Sequence, residues 1–254
     1  MPSSPFPAIV AHRGYASNYP ENTLTALEAA LNAGVQHLEF DVQLSADEMP
    51  VLFHDARLER TTSGQGLIYE HDWQQLQKLS AGEPKRFGSD FENVTIPSLQ
   101  QCVKFLESWP QVTVFLELKE ESLKQFGNRC VVTRVLDAIS AISQRCVIIS
   151  YNPSVLADVR MQSASQVGWV ISNWNNSSKH LAQRLNPEFL IVNHKKIPQQ
   201  ANSLWRGPWK WMTYEITSAE LAYKLQAMGI GFVETMQVEK LVNDMNLEAH
   251  SNPC

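Results

Sequence analysis

Two short runs place charge inside apolar, strand-like sequence: Leu38-Glu39-Phe40-Asp41-Val42 and Val114-Phe115-Leu116-Glu117-Leu118-Lys119. Residues two apart on a strand point to the same side, so Glu39 shares a face with Asp41, and Glu117 with Lys119. An unpaired carboxylate taken out of water costs several kcal/mol, more than one apolar contact returns. Three carboxylates and a lysine among Leu, Phe and Val therefore imply a bound cation, an anionic ligand, or both. Oxygen ligands without cysteine suit a hard cation such as Mg²⁺ or Ca²⁺. His12-Arg13-Gly14 and His54 add two imidazoles and a guanidinium. A divalent ion with Arg13 and Lys119 around one spot suits a phosphoryl group, whose charge needs neutralising during displacement. Two histidines on opposite sides can take a proton from a nucleophile and give one to a leaving alkoxide. Metal-assisted phosphodiester cleavage uses all of these parts.

Elements that could position these residues alternate along the chain. Ala8 to Ala11 reads as a strand. Thr23 to Ala33 reads as a helix, with Leu24, Leu27, Ala30 and Leu31 on one face, Asn22 as N-cap and Gly34 as its stop. His37 to Leu44 is a strand and Pro50 to His54 a further extended piece. Asp55 to Pro97 breaks the rhythm and reads as an insertion between a strand and its helix. Strand starts at Ala8, His37, Val112, Val147, Val167, Phe189, Trp209 and Ile230 make eight βα units. That count favours a (β/α)8 TIM barrel with a small insertion after strand 2 over an open doubly wound sheet. Carboxyl ends of barrel strands line one mouth, where His12, Arg13, Glu39, Asp41, His54, Glu117 and Lys119 would converge.

With 254 residues, 44% hydrophobic and 19% charged, the sequence fits one globular barrel domain over 1–254, with the insertion at about 55–97. A net charge of -5 argues against a nucleic-acid partner. No apolar run approaches the ~20 residues that span a bilayer, and the start through Pro7 lacks a secretory pattern. Cys102, Cys130, Cys146 and Cys254 show no metal-type spacing and read as reduced thiols in a cytoplasmic protein. The oligomeric state is left open.

Ala11-His12-Arg13-Gly14, Pro20-Glu21-Asn22-Thr23, Glu39-Phe40-Asp41-Val42, Val51-Leu52-Phe53-His54-Asp55, Leu58-Glu59-Arg60-Thr61-Thr62 and Leu116-Glu117-Leu118-Lys119 occur in this order. Together they resemble the glycerophosphodiester phosphodiesterase family, its short cytoplasmic bacterial members in particular. The resemblance is dense over residues 8 to 119 and thinner beyond, where Ser150-Tyr151 resembles the family's serine–aromatic step. It implies a (β/α)8 barrel that hydrolyses glycerophosphodiesters to sn-glycerol 3-phosphate and an alcohol. It further implies that Glu39, Asp41 and Glu117 hold Mg²⁺ or Ca²⁺. His12 and His54 would act as acid and base, with Arg13 and Lys119 on the phosphate. Glu21, Asn22 and Asp55 would support these groups, and Tyr151, Trp211 and Tyr214 are candidates for the substrate pocket. The attacking group would be the substrate's own glycerol hydroxyl or water; residue types do not separate the two.

The chain departs from the family pattern in three places. Ala46-Asp47-Glu48 stands where Lys-Asp-Gly is usual, Met212-Thr213-Tyr214-Glu215 where strand seven often ends Trp-Thr-Val-Asn, and Thr235-Met236-Gln237-Val238 where strand eight often ends Thr-Asp-Arg-Pro. These changes concern the substrate side of the pocket. His37, His71, His180, His194 and His250 carry no motif and read as structural or surface residues. Gly64 and Gly66 read as turn glycines, since no Walker-type lysine follows. Trp205, Trp209 and Trp211 read as core packing or an aromatic wall for a cationic head group. A lysophospholipase D-type activity on the same centre is the alternative reaction, and a non-catalytic binding barrel the alternative class.

Overall fold

The computed structural model describes residues 6–198 and 203–251, and the side chains only as far as residue 246. Met1 to Pro5 and Cys254 lie outside the described residues. Nine strands form one sheet: β1 (Ala8–His12), β2 (His37–Leu44), β3 (Pro50–Leu52), β4 (Thr113–Leu118), β5 (Cys146–Ser150), β6 (Gln166–Ile171), β7 (Phe189–Asn193), β8 (Lys210–Tyr214) and β9 (Phe232–Thr235). Their order is β1-β9-β8-β7-β6-β5-β4-β2-β3, and a parallel β1–β2 pairing closes the ring. Eight parallel strands with helices in the crossovers make a (β/α)8 barrel. β3 is the exception, a short antiparallel partner of β2 in which Leu52 faces Val42.

The barrel forms because its strands meet two different layers. Outward residues such as Leu38, Phe40, Leu116, Ile148 and Leu190 pack under the helices in the large core. Inward, Val10, Phe115, Val147, Ile149, Val170, Phe189, Ile191 and Met212 fill the lumen. Phe115, Phe189 and Phe232 stack edge to face near its base, with ring centroids 5.0 to 6.1 Å apart. The inward row of β2 is polar instead: Glu39, Asp41 and Gln43, all buried. The charged row thus lies above an aromatic floor and beside apolar strands, which is why a parallel barrel strand alternates in sequence here.

The first helix, α1 (Leu24–Asn32), buries Ala26, Leu27, Ala30 and Leu31 against the barrel. Its N-cap is Thr23, whose side chain accepts from the Ala26 N–H, rather than the expected Asn22. Asn22 sits at φ 56°, whereas an N-cap takes the extended conformation seen at Thr23. The last strand begins at Phe232 and not Ile230, because Ile230 closes the preceding turn through a bond to the Leu225 carbonyl. Residues 53 to 98 carry short helical turns around a small core of Phe53, Leu58, Ile68, Leu76, Ala81 and Ile96, which Val51 of β3 joins.

Candidate active site

The turn after β1 explains the His-Arg-Gly sequence. Arg13 and Gly14 both have positive φ, 57° and 77°. A Cβ on Gly14 would lie 2.6 Å from the Ala26 carbonyl carbon, so only glycine lets α1 pass this close. The turn aims the Arg13 N–H at Glu39 Oε2, 3.1 Å away. Its guanidinium reaches Glu21 Oε1 at 2.9 Å and lies 3.1 Å from Asp41 Oδ2. Asn22 clamps Asp41 from the same turn, donating to Oδ2 at 2.9 Å and accepting from the Asp41 N–H at 3.0 Å. The left-handed turn at Asn22 serves the site and not the helix start.

Parallel register brings the carboxylates together. Asp41 pairs with Glu117 across β2 and β4, and His12 with Glu39 across β1 and β2. Ligand-type oxygens of Glu39, Asp41 and Glu117 lie within 4.8 Å of one another. Lys119 Nζ sits 2.9 Å from Glu117 Oε1 and 3.2 Å from Asp41 Oδ1. Burial and the neighbouring Asp41 charge push Glu39 well above the usual carboxylate range, and burial raises Glu117. Asp41 resists its own burial because Lys119 and Arg13 hold it ionised, far below that range. Glu39 is 1% exposed, and its Oε1 has no hydrogen-bond partner. Three converging carboxylates with an orphan buried oxygen and one lysine between them fit a hard divalent cation.

His54 is held from behind. Gln43, next along the inward row of β2, donates to the His54 carbonyl at 3.1 Å. His54 Nδ1 meets Asp55 Oδ1 at 2.6 Å, and Arg60 Nη2 donates to the same oxygen at 2.9 Å. Arg60 also binds both oxygens of Glu21, at 2.8 and 2.6 Å. A continuous chain therefore runs His54–Asp55–Arg60–Glu21–Arg13–Asp41. Glu21 gains a further anchor through its N–H, which donates to buried Glu83 at 2.7 Å. Arg60 lay in a recognised motif but carried no role in the sequence; Gln43 and Glu83 gave no signal.

His12 sits among three carboxylates. Its Nδ1 is 2.8 Å from Glu215 Oε1, and its Nε2 is 3.9 Å from Glu39 Oε2. Glu234 on β9 completes the group, within 4.8 Å of His12 and Glu39 ligand atoms. Burial alone would lower the imidazole, but Glu234, Glu215 and Glu39 override it and raise it to about 10. Burial also raises Glu234 to about 7, with His12 opposing. Neither Glu215 nor Glu234 was expected from sequence. The departure at Met212-Thr213-Tyr214-Glu215 was the available signal for the first.

A cleft of about 90 Å³ opens among His12, Arg13, His54, Glu117 and Lys119, and is also lined by Glu234 and Tyr214. Ile149, Val170 and Ile191 form its apolar side. Tyr151 and Tyr214 meet over the mouth, with hydroxyls 2.7 Å apart. Trp211 does not line the cleft. Its side chain is buried outside the lumen, with ring centroids 5.4 Å from Trp174 and 5.9 Å from Trp205. It neighbours Met212, whose side chain points inward, so strand alternation puts the indole on the opposite face.

The barrel and this constellation at its carboxyl rim define a hydrolase of phosphoric diesters. The chain belongs to the Glycerophosphoryl diester phosphodiesterase family, whose sequence model matches residues 12–231. It is 26% identical over 243 residues to the glycerophosphodiester phosphodiesterase of Caldanaerobacter subterraneus subsp. tengcongensis, across 92% of this chain and 96% of that one. The structure of an Oleispira antarctica phosphodiesterase in complex with the product sn-glycerol-3-phosphate matches with a TM-score of 0.84. Its sequence identity is 27%, over 95% of this chain and 97% of that one. A glycerophosphodiester phosphodiesterase from Agrobacterium tumefaciens shares the fold at a TM-score of 0.75, with 18% identity over 93% and 99% of the two chains. The family expected from the motifs is therefore the family found, and the chain is an enzyme of the glycerophosphodiester phosphodiesterase class.

Proposed function

We propose that this enzyme hydrolyses small glycerophosphodiesters to sn-glycerol 3-phosphate and an alcohol, using Mg²⁺ or Ca²⁺ held by Glu39, Asp41 and Glu117. The observation that carries this reading is the carboxylate trio, gathered within 4.8 Å, at a cleft lined by Arg13, Lys119, His12 and His54. When bound, the cation supplies charge neutralisation at the phosphoryl group. Arg13 and Lys119 orient the phosphate and share its charge. His12, kept as imidazolium by its carboxylate neighbours, gives its proton to the departing alkoxide. His54, fixed at Nδ1 by Asp55, presents its other nitrogen to the nucleophile as proton acceptor. The whole chain is read as a single catalytic domain whose segment 55–97 braces the site. We place the enzyme in the cytoplasm, where Cys102, Cys130 and Cys146, free in the structure, stay reduced.

Release of glycerol 3-phosphate from glycerophosphocholine and glycerophosphoethanolamine, before and after exhaustive chelation, tests the reading. Activity that chelation abolishes and added cation restores supports it. Full activity after metal removal overturns the cation's role. Activity confined to lysophospholipids overturns the substrate class.

A further inference from the structure

Glu234 enters the mechanism above only through the charge it presents to His12, yet its carboxylate also lines the cleft. We infer that it receives the hydroxyl groups of the substrate's glycerol moiety, and so selects diesters with a free diol beside the phosphate. The inference rests on the reaction proposed above and names the part of the substrate that this wall recognises.

Glu234 lies on β9 beside Val10 of β1, on the inward face, and is 4% exposed. It lines the cleft together with His12 and Tyr214. Its surroundings are charges: His12 in favour, with Glu215, Glu117 and Asp41 against. Among the described residues no hydrogen bond to its carboxylate completes it. A buried carboxylate without donors is costly, and a donor from a ligand removes that cost. Two partners come into question, a second metal ion and the O–H of a hydroxyl.

His12 and Glu39 complete a triad with Glu234 within 4.8 Å, which a metal would need. However, the imidazole is already engaged by Glu215 at 2.8 Å, and Glu39 belongs equally to the Glu39–Asp41–Glu117 group, so this triad is not a separate ion site. A neutral hydroxyl adds a donor without adding charge. The rest of the cleft matches the remainder of glycerol phosphate. Arg13 and Lys119 offer positive charge to an anion, and Ile149, Val170 and Ile191 offer apolar surface for carbon. Head groups vary among diesters of this class, whereas the glycerol diol is common to all of them, which suits a fixed and deeply buried acceptor.

The test uses product binding, where no chemistry intervenes. Affinities of glycerol 3-phosphate and n-propyl phosphate are measured by calorimetry on wild type, Glu234→Gln and Glu234→Leu, each loaded with Mg²⁺ and checked for bound metal and melting temperature. Wild type should prefer glycerol 3-phosphate by about 10- to 100-fold, the worth of hydrogen bonds to a charged group. Glu234→Leu should erase that preference while metal content stays unchanged, and Glu234→Gln should keep part of it. Removing a negative charge strengthens both phosphates alike, so only the ratio between them is diagnostic. A wild type that binds both alike overturns the inference, as does a mutant that keeps the full preference or loses metal. A wild type that fails to hydrolyse glycerophosphodiesters instead overturns the proposed function.

Discussion

His12 Nδ1 and Glu215 Oε1 are 2.8 Å apart although 203 residues separate them in the chain. His12 ends the first strand, and Glu215 follows the eighth. The other oxygen of Glu215 accepts from the Met236 N–H at 3.2 Å, so the carboxylate is fixed from two sides. This bond sets the imidazole plane and turns Nε2 toward Glu39 and the cleft.

Glu215→Gln should therefore lower turnover by about 10²-fold, near the lower end of what a positioned acid or base contributes. KM should change little, because Glu215 faces the imidazole and not the phosphate. Nitrogen chemical shifts of His12 provide the direct readout, and an unchanged imidazole signal in the mutant would sink the positioning role.

His12→Ala and His54→Ala should each cut turnover on glycerophosphodiesters by roughly 10²–10⁴-fold. With a nitrophenyl diester, whose leaving group departs without a proton, His12→Ala should recover most of its activity and His54→Ala should not. Equal losses on both substrates in both mutants would show that the histidines do not divide acid and base work.

Glu117→Gln should weaken cation binding while leaving the barrel intact. It removes one of three mutually repelling carboxylates, so the metal-free mutant should melt at or above wild type. Melting temperatures with and without Mg²⁺ or Ca²⁺ check this. An equal response to the ion in mutant and wild type excludes Glu117 as a ligand.

Metal-free stability should fall as pH rises from about 5 to about 8. Glu39, Glu117 and Glu234 are raised by burial, Glu234 to about 7. A raised carboxyl contributes stability below its unfolded value and loses it as pH climbs through the folded one. His12, raised to about 10, has the same sign over a higher window. Asp41 has the opposite sign, but its lowered value confines its loss to strong acid. Because a divalent cation favours the ionised carboxylates, the rise in melting temperature on adding it should be larger near pH 8 than near pH 5. A gain independent of pH would contradict the linkage.

The sequence by itself determined the strand count, the polar inward row of β2 and the residues of one rim, because each is a local matter. Alternation along His37–Leu44 places Glu39 and Asp41 on one face without knowledge of any partner strand, and the βα rhythm selects a parallel barrel. His-Arg-Gly likewise announces a tight turn, since the conformation at Gly14 is a property of two or three residues. Only the tertiary structure decided which side chains meet across the ring. Closure of β1 onto β9 brings Glu234 and Glu215 to His12, from sequence with no motif around it. The facing of β8, with Met212 inward, turns Trp211 away from the cleft, and the left-handed turn moves Asn22 from helix cap to carboxylate clamp. Such contacts depend on register and on the facing of residues two hundred positions apart, and hydrophobic periodicity carries no information about either.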